Sequence, residues 1–380
     1  MIDLVPIPKQ WPRMALGEIC DIRGGFPAPQ EDSAFEDGTI PFVRMKDVGR
    51  HHLTNDLHRT EQSLNREYFE KARFELTPRG SILMPRSGSV GLNHRAILTI
   101  DAVIVSHLCA LVLTSKMVSG DFLYRFLCQV DMRRLTKKTT GLDSIAFSDL
   151  RQVAVPVPPL AEQQRITAVL DQAEALRIKR RVVLDEIDIL SQAIFLDLFG
   201  DPIRNSRKWP QETLETFFHF RTGKLDSNAA VATGQYPFFT CSREDSRIDS
   251  FAFDCEALLL AGNNASADYS VKHYKGKFNA YQRTYVITLR NERNSYDYAR
   301  FVLEHRLTEL KRMSKGTNTK YLTMELLNRI RVPVPPEELQ NEYSRRVAAV
   351  EKLRTTHLAS LANLDALFAA IQHRAFGGEL

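Results

Sequence analysis

One segment of the chain appears twice. Val155–Gln164 reads VPVPPLAEQQ and Val332–Asn341 reads VPVPPEELQN. Each copy opens a long helical stretch that ends in Phe-Gly, at Phe199-Gly200 and at Phe376-Gly377. Internal repetition constrains architecture before any side-chain chemistry does, because two copies of one unit fold alike. The chain must therefore consist of two similar halves, each a globular segment followed by a helical one.

The landmarks before each copy also pair. Trp11-Pro12 matches Trp209-Pro210, and Leu16 matches Leu214. Arg23 to Gly25 matches Arg221 to Gly223, and Gly38-Thr-Ile-Pro41-Phe42 matches Gly234-Gln-Tyr-Pro237-Phe238. The first landmarks are offset by 196 to 198 residues, while those from Asp121 and Asp297 onward are offset by 176 to 178. The second globular segment is thus about 20 residues shorter in its middle. A shared frame with different inserts is the pattern of one scaffold used on two different targets.

Inside the globular segments the pattern is mixed. Short β-rich runs, Ile40–Val43, Ser81–Met84, Ala102–Leu113, Ala257–Leu260 and Tyr285–Leu289, are separated by Gly, Pro, Asn and Asp turns. Apolar residues at three- and four-residue intervals predict helices over Phe122–Arg134 and Tyr298–Met313. Each segment reads as α+β, with turn-rich inserts free to touch a partner.

The helical segments carry a heptad pattern. In the first, Ile166, Val169, Ala173, Leu176, Arg180, Val183, Ile187, Leu190 and Ile194 alternate in steps of three and four, the period of a coiled-coil seam. In the second, Tyr343, Val350, Leu353, Leu364, Leu367 and Ile371 form a rougher seam. Prolines stop each helix from extending backwards, so the helices start after Pro159 and after Pro336. About 40 residues at 1.5 Å each would reach roughly 60 Å, the length of a spacer. Arg180 and its equivalent His357 fall on the seam, and polar residues there suit a register-setting role.

Composition narrows the class. A net charge of +5 permits a polyanionic partner without requiring one. Cys20, Cys109, Cys128, Cys241 and Cys255 show no CxxC spacing and read as reduced thiols. No apolar run approaches the ~18 residues of a membrane span, and the N-terminal residues lack a signal pattern. These features predict a soluble, cytoplasmic protein without metal.

Taken together, the order resembles the specificity subunit of a type I DNA restriction-modification system. The resemblance is carried by Pro156-Val157-Pro158-Pro159-Leu160-Ala161-Glu162-Gln163-Gln164-Arg165-Ile166, and by Pro333-Val334-Pro335-Pro336 with Gln340. The Trp-Pro starts, Gly-x-x-Pro-Phe turns and Phe-Gly ends belong to the same pattern, which covers essentially the whole chain. The second copy departs from it, with Glu337-Glu338-Leu339 after the prolines and Gln340-Asn341 in place of the glutamine pair.

The resemblance implies two target recognition domains, residues 1–158 and 201–335. Each is followed by a spacer helix, 159–200 and 336–380, and the helices pair as an antiparallel coiled coil with pseudo-two-fold symmetry. It implies that each domain reads one half of a split duplex DNA sequence. It also implies that the helices dock two adenine-N6 methyltransferase subunits, which bind S-adenosylmethionine, and that restriction and translocase subunits join them. Candidates for the helix and partner interface are Glu162, Gln163, Gln164, Ile166, Leu176, Arg180, Gln340, Tyr343, Leu353 and His357. Two alternatives stay open: a system whose partner fuses methylation with cleavage, and a coiled-coil scaffold that binds no DNA.

The residues say something about DNA independently. Basic, hydroxyl-bearing segments precede both proline runs. Arg133, Arg134, Lys137 and Lys138 lie in the first, and Lys311, Arg312, Lys315 and Lys320 in the second. Such segments suit phosphate contacts, which position a protein without reading sequence. Base reading falls to the divergent parts: Arg44, Lys46, Arg86 and Ser87 in the first half, and Ser242, Arg243, Asn263, Asn264, Gln282 and Arg283 in the second. Arg pairs naturally with guanine, and Asn or Gln with adenine.

The chain's own motifs argue against catalysis. Its Pro-Pro pairs, Val157-Pro158-Pro159-Leu160 and Val334-Pro335-Pro336-Glu337, lack the Asn/Asp and aromatic neighbours of an amino-methyltransferase. There is no GxxxxGK loop for ATP and no nuclease-type carboxylate and lysine pattern. His51-His52 is the only histidine cluster. The sequence therefore predicts a non-enzymatic chain.

Overall fold

In a computed structural model, the repeated landmarks are joined by hydrogen bonds. Residues 1–380 are described except 53, 55, 139–142, 243, 245, 265–270 and 314–319; for 137, 138, 264, 307–313, 320 and 321 the backbone alone is described. The chain divides into two units, Met1–Val182 with Ala359–Leu380, and Val183–Leu358.

In the first unit, a strand after the Trp-Pro start (Arg13–Ala15) pairs antiparallel with Ala154–Pro156, at the entrance to the proline run. Val157 donates its N–H to the Pro12 carbonyl at 2.9 Å. The second unit repeats this: Gln211–Thr213 pairs with Arg331–Pro333, and Val334 donates to the Pro210 carbonyl at 2.7 Å. The twin motifs close each globular segment on itself.

A five-stranded sheet in the first unit runs in the order Cys20–Gly24, Leu108–Leu113, Ile82–Pro85, Ala96–Leu98, Asp56–Leu57. A three-stranded sheet holds Gln62–Leu64, Ile40–Val43 and Val103–Ile104. The second unit has one six-stranded sheet: Phe218–Thr222, Thr284–Leu289, Phe253–Ala261, Val271–Ala280, Tyr236–Phe239, Ser246–Ile248. The shared frame is visible in the registers. Cys20 pairs with Leu113 as Phe218 pairs with Leu289, and parallel pairs join Phe42 to Val103 and Phe238 to Asn279. The repeated glycines have a steric reason. A Cβ at Gly25 would collide with the Ile104 and Val105 carbonyls, and one at Gly223 with those of Ala280 and Tyr281.

A helix covers Gly120–Gln129 and a 3₁₀ turn Met132–Leu135, so the helix expected over Phe122–Arg134 breaks near Val130. Its twin covers Tyr296–Met313. Ser119 and Ser295 cap these helices, accepting from the Phe122 and Tyr298 amides.

The two long helices are Leu160–Phe199 and Glu337–Gly377. In the first unit, the start of the first helix packs with the end of the second. Ile166 and Leu170 share a core with Phe122, Phe126 and Phe376. In the second unit the roles are exchanged: Phe195 and Phe199, from the end of the first helix, share a core with Tyr298 and with Tyr343, from the start of the second. Within each unit the helices are therefore antiparallel, as expected. The matching ends reach matching places, since Phe376 sits 5.5 Å from Phe122 and Phe199 sits 4.8 Å from Tyr298.

The seam departs from the expected one at several positions. Ile166 and Ile187 are buried as anticipated, but Leu176 is 53% exposed and Leu190 is 43% exposed. Leu170 and Arg177 take the inward positions instead, Leu170 fully buried and the Arg177 side chain 17% exposed. A 3,4 pattern admits either neighbour at alternate positions, and apolarity alone picks the wrong one when an arginine is held inward by carboxylates.

Candidate nucleic-acid interface

Three stretches of backbone meet where interior strands of each unit's largest sheet end. In the first, the strand Ile82–Pro85 runs into Arg86, whose N–H donates to the His107 carbonyl at 2.8 Å. The Arg86 carbonyl accepts from Ile145 at 2.9 Å, and the Ser106 N–H donates to Phe26 at 2.7 Å. In the second, Gly262 donates to the Arg283 carbonyl at 2.7 Å and accepts from Leu322 at 2.8 Å. There the Gln282 N–H donates to Leu225 at 2.9 Å.

These bonds align the two junctions residue by residue. Arg86 corresponds to Gly262, Ser87 to Asn263, Ser106 to Gln282, His107 to Arg283, and Ile145 to Leu322. The backbone is the same while the side chains differ. In the second unit the junction opens into a cleft of about 530 Å³ lined by Thr222, Gly262, Asn263, Gln282, Arg283, Tyr285 and Leu322. Its polar residues include two that carry amides and one that carries a guanidinium, groups that pair with base edges in a groove, beside the hydroxyl-bearing Thr222 and Tyr285. In the first unit the Arg86 guanidinium lies 4.6 Å from the centre of the Phe147 ring. Ser87 Oγ sits 2.8 Å from His107 Nδ1, and His107 is exposed.

The structure thus gathers Arg86 with Ser87, and Asn263 with Gln282 and Arg283. It adds Ser106, His107, Thr222 and Tyr285, which the sequence reading passed over. The 176-residue offset that pairs Asp121 with Asp297 also maps Ser106-His107 onto Gln282-Arg283, so the signal was present in the sequence.

Other candidates are placed differently. Arg44 packs its guanidinium 5.5 Å from the Phe35 ring and 5.7 Å from the Phe42 ring, and its Nε is buried without a hydrogen-bond partner. Lys46 is held by Glu61 at 2.7 Å, and Arg50 binds the same carboxylate. Hydrogen bonding from Lys46 holds the Glu61 carboxyl below its ordinary range, with help from Arg50. Arg133 forms a two-pronged pair with Asp131 at 2.8 and 2.9 Å, which keeps the Asp131 carboxyl low. Arg134 donates to the Leu4 carbonyl. Ser242 is exposed, its Oγ accepting from the Glu244 amide.

Lys137 and Lys138 lie on the strand Thr136–Lys138, paired with Asp143–Ile145, and Asn264 on Asn263–Asn264, paired with Lys320–Tyr321. Lys311 and Arg312 lie in the helix Tyr296–Met313. For these, as for Lys320, the side chains are outside the described residues; Arg243 and Lys315 lie outside them altogether. Among the described residues, no group of three or more His, Cys, Asp or Glu could hold a metal ion. None of the helices searched is long and apolar enough to cross a membrane.

The helix candidates divide into inner and outer groups. Gln163 is fully buried. Its Oε1 accepts from the Ser119 amide at 2.8 Å, and its Nε2 donates to the Met117 and Pro158 carbonyls, both at 2.8 Å. Gln340 repeats this arrangement at 1% exposure, accepting from Ser295 at 2.9 Å and donating to Pro335 at 2.9 Å and to Asn294 Oδ1 at 3.0 Å. A surface role for these glutamines is therefore corrected: each ties the start of a long helix to the cap of a neighbouring one. Ile166 and Tyr343 are core residues and are likewise closed to a partner. Gln164 is exposed, and Glu162 is bound by Arg165 at 2.9 Å, which lowers its carboxyl pKa. Leu176 and Leu353 face outward. Arg180 and His357 are half-buried and engaged by neighbours.

The sequence matches the family described as type I restriction modification DNA specificity domain over residues 8–186 and 206–363. It is 39% identical over 147 residues to the type I restriction enzyme EcoDI specificity subunit of Escherichia coli, covering 39% of this chain and 31% of that protein. It is 21% identical over 208 residues to the type I restriction enzyme MjaIX specificity subunit of Methanocaldococcus jannaschii, covering 53% of this chain and 47% of that one. These matches span less than half the length of either relative. The fold is similar to that of the S subunit of a type I restriction-modification system from M. genitalium, with a TM-score of 0.60, 15% identity and 99% of both chains covered. It also resembles a chain from a type I R-M assembly, with a TM-score of 0.56, 16% identity, 99% of this chain and 100% of that chain covered. Two family domains in one chain, each with the same strand junction and the same glutamine-tied helix, make this chain a member of the type I restriction-modification DNA specificity family.

Proposed function

We propose that this chain is the non-catalytic specificity subunit of a cytoplasmic type I system, and that its two junctions read the two halves of a split duplex DNA target. The observation that carries this reading is the repeated backbone junction furnished with different polar side chains: Arg86, Ser87 and His107 in one, Asn263, Gln282 and Arg283 in the other. An identical frame holds both sites in equivalent geometry, while different side chains give each its own base preference. Lys137, Lys138, Lys311, Arg312, Lys315 and Lys320 are assigned to phosphate contacts on the basic, hydroxyl-bearing pattern of their segments.

The outward apolar residues of the long helices are the surface for partners. Leu176, Val182 and Leu367 in the first unit, and Ile189, Leu196 and Leu353 in the second, are all at least 40% exposed. Apolar residues left outside a seam are suited to covering by another protein. We assign them to two adenine-N6 methyltransferase subunits, which bring S-adenosylmethionine, with restriction subunits joining that core.

The test is domain exchange. Residues 1–150 are replaced by the corresponding part of a family member of different specificity, and the methylated sequences are read genome-wide. One half-site should change and the other persist; a change in both would overturn the modular reading. Absence of steep, salt-dependent binding of duplex DNA by the assembled complex would favour a protein scaffold instead.

A further inference from the structure

We propose that Cys241 sets the base preference of the second cleft by fixing the amide of Asn263. The inference rests on the reading that this cleft faces a base edge. The Cys241 thiol lies 2.7 Å from Asn263 Oδ1 and 3.6 Å from the Arg283 carbonyl, so it sits between two residues that line the cleft. Cys241 is itself only partly buried.

An asparagine amide is nearly symmetrical in shape, and only its hydrogen-bond partners decide which end is oxygen. The thiol donates to Oδ1 and so holds that oxygen toward Cys241, which is not among the residues that line the cleft. The Nδ2 group, with two donors, is then the end left to face a ligand. A donor pair presented to a groove selects an acceptor edge: purine N7, guanine O6 or thymine O4. Without the thiol the amide can turn over and present an acceptor instead, and the discrimination is lost.

The first unit has a lock at the matching place, built from other parts. Ser87, the counterpart of Asn263, is held at 2.8 Å by His107. In the second unit the counterpart of His107 is Arg283, whose carbonyl lies beside the Cys241 sulfur while the one thiol proton goes to Asn263 Oδ1. The lock then comes from Thr240-Cys241, just past the strand Tyr236–Phe239. Both sites thus fix their central polar residue from a neighbouring strand end.

Three variants of the chain, each assembled with its methyltransferase partners, test this by selection from duplexes randomised in the second half-site. Cys241→Ala should flatten the preference at one base position by roughly five- to tenfold, the worth of one hydrogen bond. Other positions, and the urea midpoint, should hold. Cys241→Ser should keep the preference, since a hydroxyl at this separation makes a normal hydrogen bond. Arg283→Ala tests the cleft itself. If it shifts base preference while Cys241→Ala does not, or if Cys241→Ala weakens all sequences equally, the lock is overturned. If none of the three changes any preference, the cleft does not read DNA.

Discussion

Arg177 on the first long helix bonds Asp365 on the second through Nε at 2.6 Å. In the second unit Arg354, on the second helix, bonds Asp188, on the first, through Nε at 3.0 Å. The 177-residue offset carries Arg177 onto Arg354 and Asp188 onto Asp365, so one ion pair occurs twice with its partners exchanged between helices. These pairs, rather than an apolar match, mark the register of the antiparallel helices.

The two pairs should differ in strength. Arg177 is 17% exposed and also bonds Glu174, itself 12% exposed, whereas Arg354 and Asp188 are 40% and 61% exposed. Replacing Arg177 removes its charged hydrogen bonds but leaves Glu174 near Arg125 and Arg181 and Asp365 bound to Arg181 at 3.4 Å, so Arg177→Ala should cost about 1.5–3 kcal/mol. Arg354→Ala should cost about 0.5 kcal/mol or less. Denaturant titration of each variant, with Asp365→Ala closing a double-mutant cycle on Arg177, measures both.

The buried glutamines make a second stability prediction. Gln163→Leu keeps the volume but leaves the Ser119 amide and the Met117 and Pro158 carbonyls without this partner. Each group left unsatisfied inside costs about 1–3 kcal/mol. A loss of about 3 kcal/mol is expected for Gln163→Leu and a similar one for Gln340→Leu, in denaturant titrations that show no other change of fold.

Much of this frame could be read from the repeats, and the misreadings have physical causes. The Trp-Pro pairs and the twin prolines fall where each globular segment closes on itself, although the strands that pair there lie more than 100 residues apart in the sequence. Gln163 and Gln340 stand among the helix and partner interface candidates, and their burial does not show in the sequence because an isolated Gln carries no mark of it. Ala102–Leu113 reads as one strand because it is apolar on both sides of Ser106-His107, yet the chain breaks at Val105–His107, and the break holds His107 at the first junction. The strand Val271–Ala280 was hidden by Lys272, Lys275, Gly276 and Lys277. Eight paired positions against Phe253–Leu260 hold it there despite its weak pattern. Sites made where separate strands end depend on register, which no local pattern encodes.

The thiols give a pH prediction. Burial pushes the Cys20 thiol up to about 12, with the Asp21 charge adding, and burial pushes Cys109 up to about 12. The thiolate is the reactive form, so iodoacetamide at pH 8 should spare both in the native protein and reach the partly exposed Cys241 and Cys255. The folded-state values lie above the ordinary value of 9.0, so the stability they represent is complete below pH 9 and is lost as pH rises toward 12. Each thiol should contribute a fall of about 1.4 kcal/mol per pH unit across that window. Denaturation followed from pH 8 to 11, for the native chain and for Cys109→Ala, tests the sign. Stability that rises with pH would contradict it.

The spacer role predicts how length is transmitted to the target. Eleven residues separate Arg177 from Asp188 in the first helix, and eleven separate Arg354 from Asp365 in the second. A heptad inserted in one helix alone makes these spans unequal, so the two ion pairs cannot both form, and such a variant should lose stability. Matched heptads, one inside each span, keep the spans equal and preserve the seam period. Each adds about 10 Å of helix, against 3.4 Å for each base-pair step. The complex that methyltransferase subunits form on the doubly lengthened chain should therefore methylate targets whose unread spacer is longer by up to about 3 base pairs, with both half-sites unchanged. Methylome sequencing reads this directly, and an unchanged spacer in a stably folded double insert would show that the helices do not set the distance.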